Sequence, residues 1–196
     1  MLRVFTFHQI LLFTFSQQIM PSEDRKLTME ELDRPAPTVN FSAPKRPLIV
    51  LLDDVRSRHN VGSVFRTADS FGAERVILCG YTPQPPHREI EKTALGATDS
   101  VPWEHAPNAR IAIQNLQNQG YTVWSVEQTL NATSLNEIKS APTPTAVVFG
   151  NELNGVSDDV IQVCDGSIVI PQHGSKHSLN VSVCAGIVLW WMSSLR

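Results

Sequence analysis

From residue 48 onward, short apolar runs alternate with segments whose apolar residues recur every three or four positions. Residues 48–52 are unbroken hydrocarbon ending at Asp53 and Asp54, the pattern of a strand buried on both faces. Residues 60–71 put Val61, Val64, Phe65 and Ala68 at helical spacing, with Gly72 as the stop. Residues 75–79 predict a second strand ended by Gly80, and Pro83, Pro85 and Pro86 predict a loop after it. A helix is predicted over 109–119, with Ile111, Ile113 and Leu116, and strands over 121–126 and 145–149. A short helix over 156–164 and a short strand over 167–170 follow. Residues 179–192 predict a last helix that is apolar almost all round, and therefore packed on more than one side. The fold class is α/β, a mainly parallel sheet with helices on both faces.

Composition narrows the class further. With 42% hydrophobic and 18% charged residues over 196 positions, the chain is expected to form one globular domain. Its 16 Lys and Arg against 19 Asp and Glu give no domain-wide basic field, so any nucleic-acid surface must be a local patch. Cys79, Cys164 and Cys184 are too scattered for a zinc set or a disulfide framework, which points to a reducing cytoplasm and no metal. Residues 2–19 imitate a secretory signal, but His8, Gln9, Gln17 and Gln18 interrupt them and no small-x-small cleavage site follows. They are also too short and too polar for a membrane span, and Met20 and Met29 offer later starts. Residues 1–47 are therefore expected to be a flexible or non-native extension, and 48–196 the working domain.

Three segments carry polar residues that a plain α/β domain does not require. The first, Asn60-x-Gly62-x-x-x-Arg66, opens a helix just beyond a strand end, where ligands gather in such sheets. Asn60 suits a helix cap and Gly62 a close backbone approach, and Arg66 shares the Gly62 face. On spacing alone, a capped surface helix with a solvated arginine accounts for it better. The second, Gly150-Asn151-Glu152-Leu153-Asn154-Gly155, is a glycine-bounded loop at a strand end, either a ligand cradle or an ordinary turn. The third runs from Ile170-Pro171 through Gly174 and Lys176 to Ser178-Leu179-Asn180-Val181-Ser182, where a polar loop meets the last helix. Ser178 alone reads as that helix's cap, with Asn180 inside its first turn.

In this order the three segments resemble the three motifs of the SpoU/TrmH family of RNA ribose methyltransferases: N-x-G-x-x-x-R, G-x-E-x-x-G, and I-P followed by S-L-N-V-S. The likeness runs from the first predicted strand to the last predicted helix. Each motif is weak alone, and the ordered trio is specific. Lys92–Ala97 and Glu127-Gln128-Thr129 are similar to the family as well, while Gln172 stands where many members carry methionine. The resemblance implies a SPOUT-type fold with a C-terminal trefoil knot, and S-adenosylmethionine held largely by backbone of Gly150, Ile170 and Leu179. It implies catalytic and substrate-side roles for Asn60, Arg66, Glu152, Ser178 and Asn180, and a homodimer without a metal.

An RNA substrate needs cations, and Arg56, Arg58, His59, Arg88, Lys92 and Lys176 are the candidates for phosphate contact. Too few residues precede position 48 for an added RNA-reading domain, and the resemblance implies transfer RNA (tRNA) rather than ribosomal RNA for a catalytic domain of this kind on its own. A ribose 2′-hydroxyl is a poor nucleophile until its proton leaves. A guanidinium holds its own proton above about pH 12, so Arg66 acts either with help from an RNA phosphate or as a phosphate clamp. Glu152 is the other ionisable candidate. The alternatives are a ribosomal RNA ribose methylase, a base methylase, or a non-catalytic RNA-binding module of the same fold.

Overall fold

Seven strands form a single sheet in the order β3-β2-β1-β6-β4-β7-β5, and every pairing in it is parallel. The computed structural model describes residues 25–28, 30–32, 45–140 and 142–195. It divides into residues 1–35 and 36–196. In the shorter unit Arg25 pairs with Glu31 at 2.6 Å beside a turn. The expectations for residues 1–24 and 33–44 fall outside the described residues.

The sheet comprises β1 (Arg46–Asp53), β2 (Ala73–Cys79), β3 (Trp103–Ala106), β4 (Thr122–Val126), β5 (Thr133–Ser134), β6 (Thr145–Phe149) and β7 (Gly166–Val169). In β1, Leu48, Val50 and Leu52 enter the core under α1 (Arg58–Ser70), α2 (Arg88–Ala94) and α6 (Val181–Ser194). Ile49 and Leu51 face the opposite core, under α4 (Ala109–Asn118) and α5 (Asp158–Ile161). Helices on both faces are why the run lacks polar alternation. Strand β7 lies between β4 and β5, both earlier in the chain, so the late polypeptide is inserted into a frame already laid down.

Two stretches differ from expectation. The region after the prolines is not only loop: it holds α2, the four-residue α3 (Ala97–Ser100) and edge strand β3. Gly62 explains the position of α2, since a Cβ there would stand 2.2 Å from both the Ile90 carbonyl and Thr93 Oγ1. The predicted helix over 156–164 contracts to one turn, α5.

Both cap assignments are corrected. Ser57, not Asn60, caps α1, its hydroxyl accepting from the Asn60 N–H at 3.3 Å. This frees the Asn60 side chain to face outward. Asn180, not Ser178, caps α6, its Oδ1 accepting from Ser182 N at 2.9 Å and Ser182 Oγ at 2.6 Å. Helix α6 buries Val181, Ala185, Val188, Leu189 and Met192, leaving Val183 and Trp190 about half exposed on another face (51% and 54%).

Candidate active site

The loops that leave β1, β6, β4 and β7 emerge side by side, because those four strands are neighbours in the sheet. This is the edge where open parallel sheets bind ligands. Gly150, directly after β6, has no room for a side chain: a Cβ would lie 2.1 Å from the Gly155 carbonyl carbon and from Val156 N. The loop therefore closes on itself, with Asn151 and Gly155 exchanging backbone hydrogen bonds of 2.9 and 2.8 Å. Asn151 reinforces it from within, accepting from Leu153 N at 2.8 Å. Its Nδ2 donates to the Asp54 carbonyl at 2.7 Å and ties the loop to the end of β1. Ser157 adds a second tie, donating through Oγ to the buried Asp53 at 3.0 Å.

So braced, the loop projects Glu152 across to α1. Its carboxylate accepts from the backbone N–H of Arg56 and of Ser57, each at 2.9 Å, and from Asn60 Nδ2 at 2.8 Å. Asn60 Oδ1 in turn accepts from Asn180 Nδ2 at 3.2 Å. One residue from each of the three motifs thus enters a single chain of hydrogen bonds. Desolvation pushes the Glu152 carboxyl upward, but the donors on Arg56, Asn60 and Ser57 outweigh it and hold the group below its ordinary 4.5. An anion so satisfied is a poor proton acceptor. Its bond to Nδ2 fixes the orientation of the Asn60 side chain.

Beside this chain lies a cleft of about 540 Å³, within the ordinary range for a small-molecule site. Gly150, Ile170 and Leu179 line it, as do Glu152, Ser178 and Asn180. Its walls offer Val126, Ile168, Ile170 and Leu179 as apolar surface. Among the described residues its lining holds two carboxylates, Glu127 and Glu152, and no lysine or arginine. That sign suits a ligand bearing positive charge beside a flat apolar group, and disfavours a nucleoside phosphate.

Arg66 is not in the cleft lining: it is exposed on α1, and among the described residues its guanidinium makes no hydrogen bond or ion pair. The expected RNA contacts are brought together in part. Thr93 Oγ1 donates to the His59 carbonyl at 3.0 Å, and Arg58 lies 3.8 Å from Glu89, so Arg58, His59 and Arg88 sit where α1 and α2 begin, with Lys92 in the last turn of α2. Arg56 leads into α1, and Lys176 is on the exposed loop after β7. Sequence reasoning missed Asn151, Asp53 and the anchoring by Glu127 and Gln128. An Asn after the strand-end glycine was a signal for a side-chain-closed turn. Among the described residues no three His, Cys, Asp or Glu group as metal ligands, and no helix is long and apolar enough to cross a membrane.

The chain is similar to a known group of proteins. The 23S rRNA (guanosine-2′-O-)-methyltransferase RlmB of Vibrio parahaemolyticus is 35% identical over 144 residues, covering 74% of this chain and 58% of that protein. The tRNA (guanosine(18)-2′-O)-methyltransferase of Aquifex aeolicus is 33% identical over 150 residues, covering 74% and 68%. An AdoMet-bound rRNA methyltransferase from Sinorhizobium meliloti superposes with a TM-score of 0.69 at 29% identity, over 74% of this chain and 55% of that one. The chain thus spans little more than half the length of two of these three. The model of the SpoU rRNA methylase family matches residues 47–190, from the first strand into the last helix and through all three polar segments, and the chain belongs to that family.

Proposed function

We propose that the protein transfers a methyl group from S-adenosylmethionine to a ribose 2′-hydroxyl of RNA, with tRNA favoured over rRNA, as a homodimer in the cytoplasm. The observation that carries this reading is the Glu152–Asn60–Asn180 chain at the mouth of a cationic-ligand cleft. Relatives of both named substrate classes are similar to this chain.

The cleft fits the donor in size, in its apolar walls and in its two carboxylates. Backbone of Gly150, Ile170 and Leu179 would hold it. When bound, S-adenosylmethionine supplies a methyl carbon made electrophilic by a positively charged sulfur. The chain's own task is to place and deprotonate the hydroxyl. Asn60 and Asn180, locked by Glu152, present oriented amide groups beside the cleft, and Ser178 lies on its rim. Arg66, free of protein partners among the described residues, offers its fork to RNA phosphate. The phosphate so held would accept a hydrogen bond from the hydroxyl and turn its oxygen toward the methyl carbon, and the proton passes to solvent water as the carbon–oxygen bond forms. Arg56, Arg58, His59, Arg88, Lys92 and Lys176 extend the electrostatic footprint. The threaded C-terminal knot is part of this reading, supported by the insertion of β7 between earlier strands.

The homodimer reading rests on α6. Val183 and Trp190 are seven residues apart and half exposed, with the partly buried Ile187 between them on one face. An apolar stripe of that kind usually marks an interface, and two-fold pairing is its commonest closed solution. Donor titration by calorimetry tests the pocket. Binding of S-adenosylmethionine or its demethylated product at micromolar concentration is expected, and no heat at high micromolar donor would refute the assignment.

A further inference from the structure

The two walls of the cleft are loops of unlike character. The wall of residues 150–157 is tied down at many points, by Asp53, Asp54 and its own backbone. The wall of residues 171–179 is exposed throughout. Among the described residues, only one hydrogen bond links it to another part of the chain: Gln128 Nε2 donates to the His177 carbonyl at 2.6 Å. The neighbouring residue reaches the opposite wall. Glu127 Oε2 accepts from Val156 N at 3.1 Å, and its Oε1 accepts from Gln128 N at 2.8 Å.

Two consecutive residues at the end of β4 therefore hold both walls at once. Strand β4 is a rigid reference for them, paired on both sides by β6 and β7. Gly155 is fitted to the same arrangement, for its φ is +68° and a Cβ there would stand 2.1 Å from Glu127 Oε2. Both Glu127 and Gln128 line the cleft itself. A side chain that only closed a turn would have no reason to reach a wall 49 positions away in sequence.

We propose that Glu127 and Gln128 are donor-positioning residues, a double latch that fixes the width of the cleft by fastening its two walls to β4. The inference rests on the donor reading given above. Fixing a loop before binding removes an ordering cost that the ligand would otherwise bear, so the latch acts on donor affinity. It leaves the RNA side and the chemical step untouched, because neither residue belongs to the Glu152–Asn60–Asn180 chain.

The test compares Gln128→Ala, Glu127→Ala and Glu127→Gln as full-length proteins. S-adenosylmethionine and S-adenosylhomocysteine are titrated by calorimetry, and steady-state kinetics are run in both donor and RNA. Gln128 is exposed, so its truncation leaves the fold intact, which a melting curve verifies. Gln128→Ala and Glu127→Ala are expected to weaken both ligands by about tenfold, the scale of one lost hydrogen bond to a fixed group. The donor KM rises in step, while kcat at saturating donor and the RNA KM stay within about twofold of wild type. Glu127→Gln keeps an acceptor for Val156 N and restores S-adenosylhomocysteine affinity to within about threefold, while S-adenosylmethionine, which also loses a carboxylate facing its cationic sulfur, recovers less. Unchanged donor affinity in Gln128→Ala overturns the latch. So does a Glu127→Ala protein that loses S-adenosylmethionine but keeps the uncharged-sulfur product, since charge rather than position would then be the cause. A wild-type protein that binds neither ligand overturns the donor reading itself, and the latch with it.

Discussion

Asn60 Nδ2 lies 2.8 Å from Glu152 Oε1, joining residues 92 positions apart at the mouth of the cleft. The bond makes Asn60 a bridge rather than a cap. Asn60→Ala should lower kcat by about 10²-fold, the scale of a misplaced reacting group, while donor affinity stays within a few-fold. Rapid quench with saturating donor measures it. Glu152 sets the acid limit of the arrangement. Its folded value is lowered, so its contribution is full above 4.5 and is lost as pH falls through that lowered value. The pH–rate profile should therefore show no limb from Glu152 on the alkaline side of 4.5.

Gly62 holds α1 against α2 with no spare volume. Gly62→Ala should destabilise the protein by about 1–3 kcal/mol, because the atoms a Cβ would meet at 2.2 Å include a backbone carbonyl that cannot rotate away. Chemical denaturation reads the loss. A variant as stable as wild type would show that the two helices separate freely.

Asp53 carries the opposite pH signature from Glu152. Burial raises its carboxyl; the bonds from Ser157 oppose this, and Asp54 and Asp159 add to it, leaving the group above its ordinary 3.8. A raised value means that its contribution to stability is full below 3.8 and is lost as pH rises through the folded value. The stability of Asp53→Asn relative to wild type should therefore grow as pH climbs from 3.8, whatever its starting offset. Denaturant midpoints across that range would expose a flat difference if Asp53 were not strained.

The two adjacent tryptophans of α6 should respond differently to charge. Trp190 is half exposed beside Val183, whereas Trp191 packs against the core. Trp190→Glu should yield a folded monomer with reduced turnover, and Trp191→Glu a protein that unfolds. Light scattering with circular dichroism separates these outcomes. A fully active monomer of the wild-type chain would remove the dimer from the account.

The sequence revealed what local pattern dictates and little that depends on distant contact. Strands β1 and β6 were legible because burial on both faces leaves nothing but hydrocarbon in them. Helix α2 was not, since its Arg-Glu-Ile-Glu-Lys-Thr-Ala run buries only Ile90 and Ala94 and shows no stripe. Strand β3 is a four-residue edge, half exposed, and carries almost no period. At the site, Asn60, Glu152 and Asn180 were named through their motifs, but the bonds between them bridge three separate segments. The Ser57 and Asn180 caps were misplaced for the same reason: a candidate cap two or three residues away looks identical until the distant partner is known. Glu127 and Gln128 were visible only as a familiar string, because their partners lie 29 and 49 positions on.

The central claim is that this site methylates a ribose oxygen in RNA, and one measurement addresses it directly. Bulk tRNA and rRNA lacking this modification are incubated with the protein and methyl-labelled S-adenosylmethionine, then digested to nucleosides and separated. The account predicts label in a 2′-O-methylated nucleoside, from tRNA more than rRNA, and its disappearance with Arg66→Ala and with Arg66→Lys, whose point charge cannot reproduce the planar fork. Label on a base, or near-normal transfer by Arg66→Lys, would contradict it.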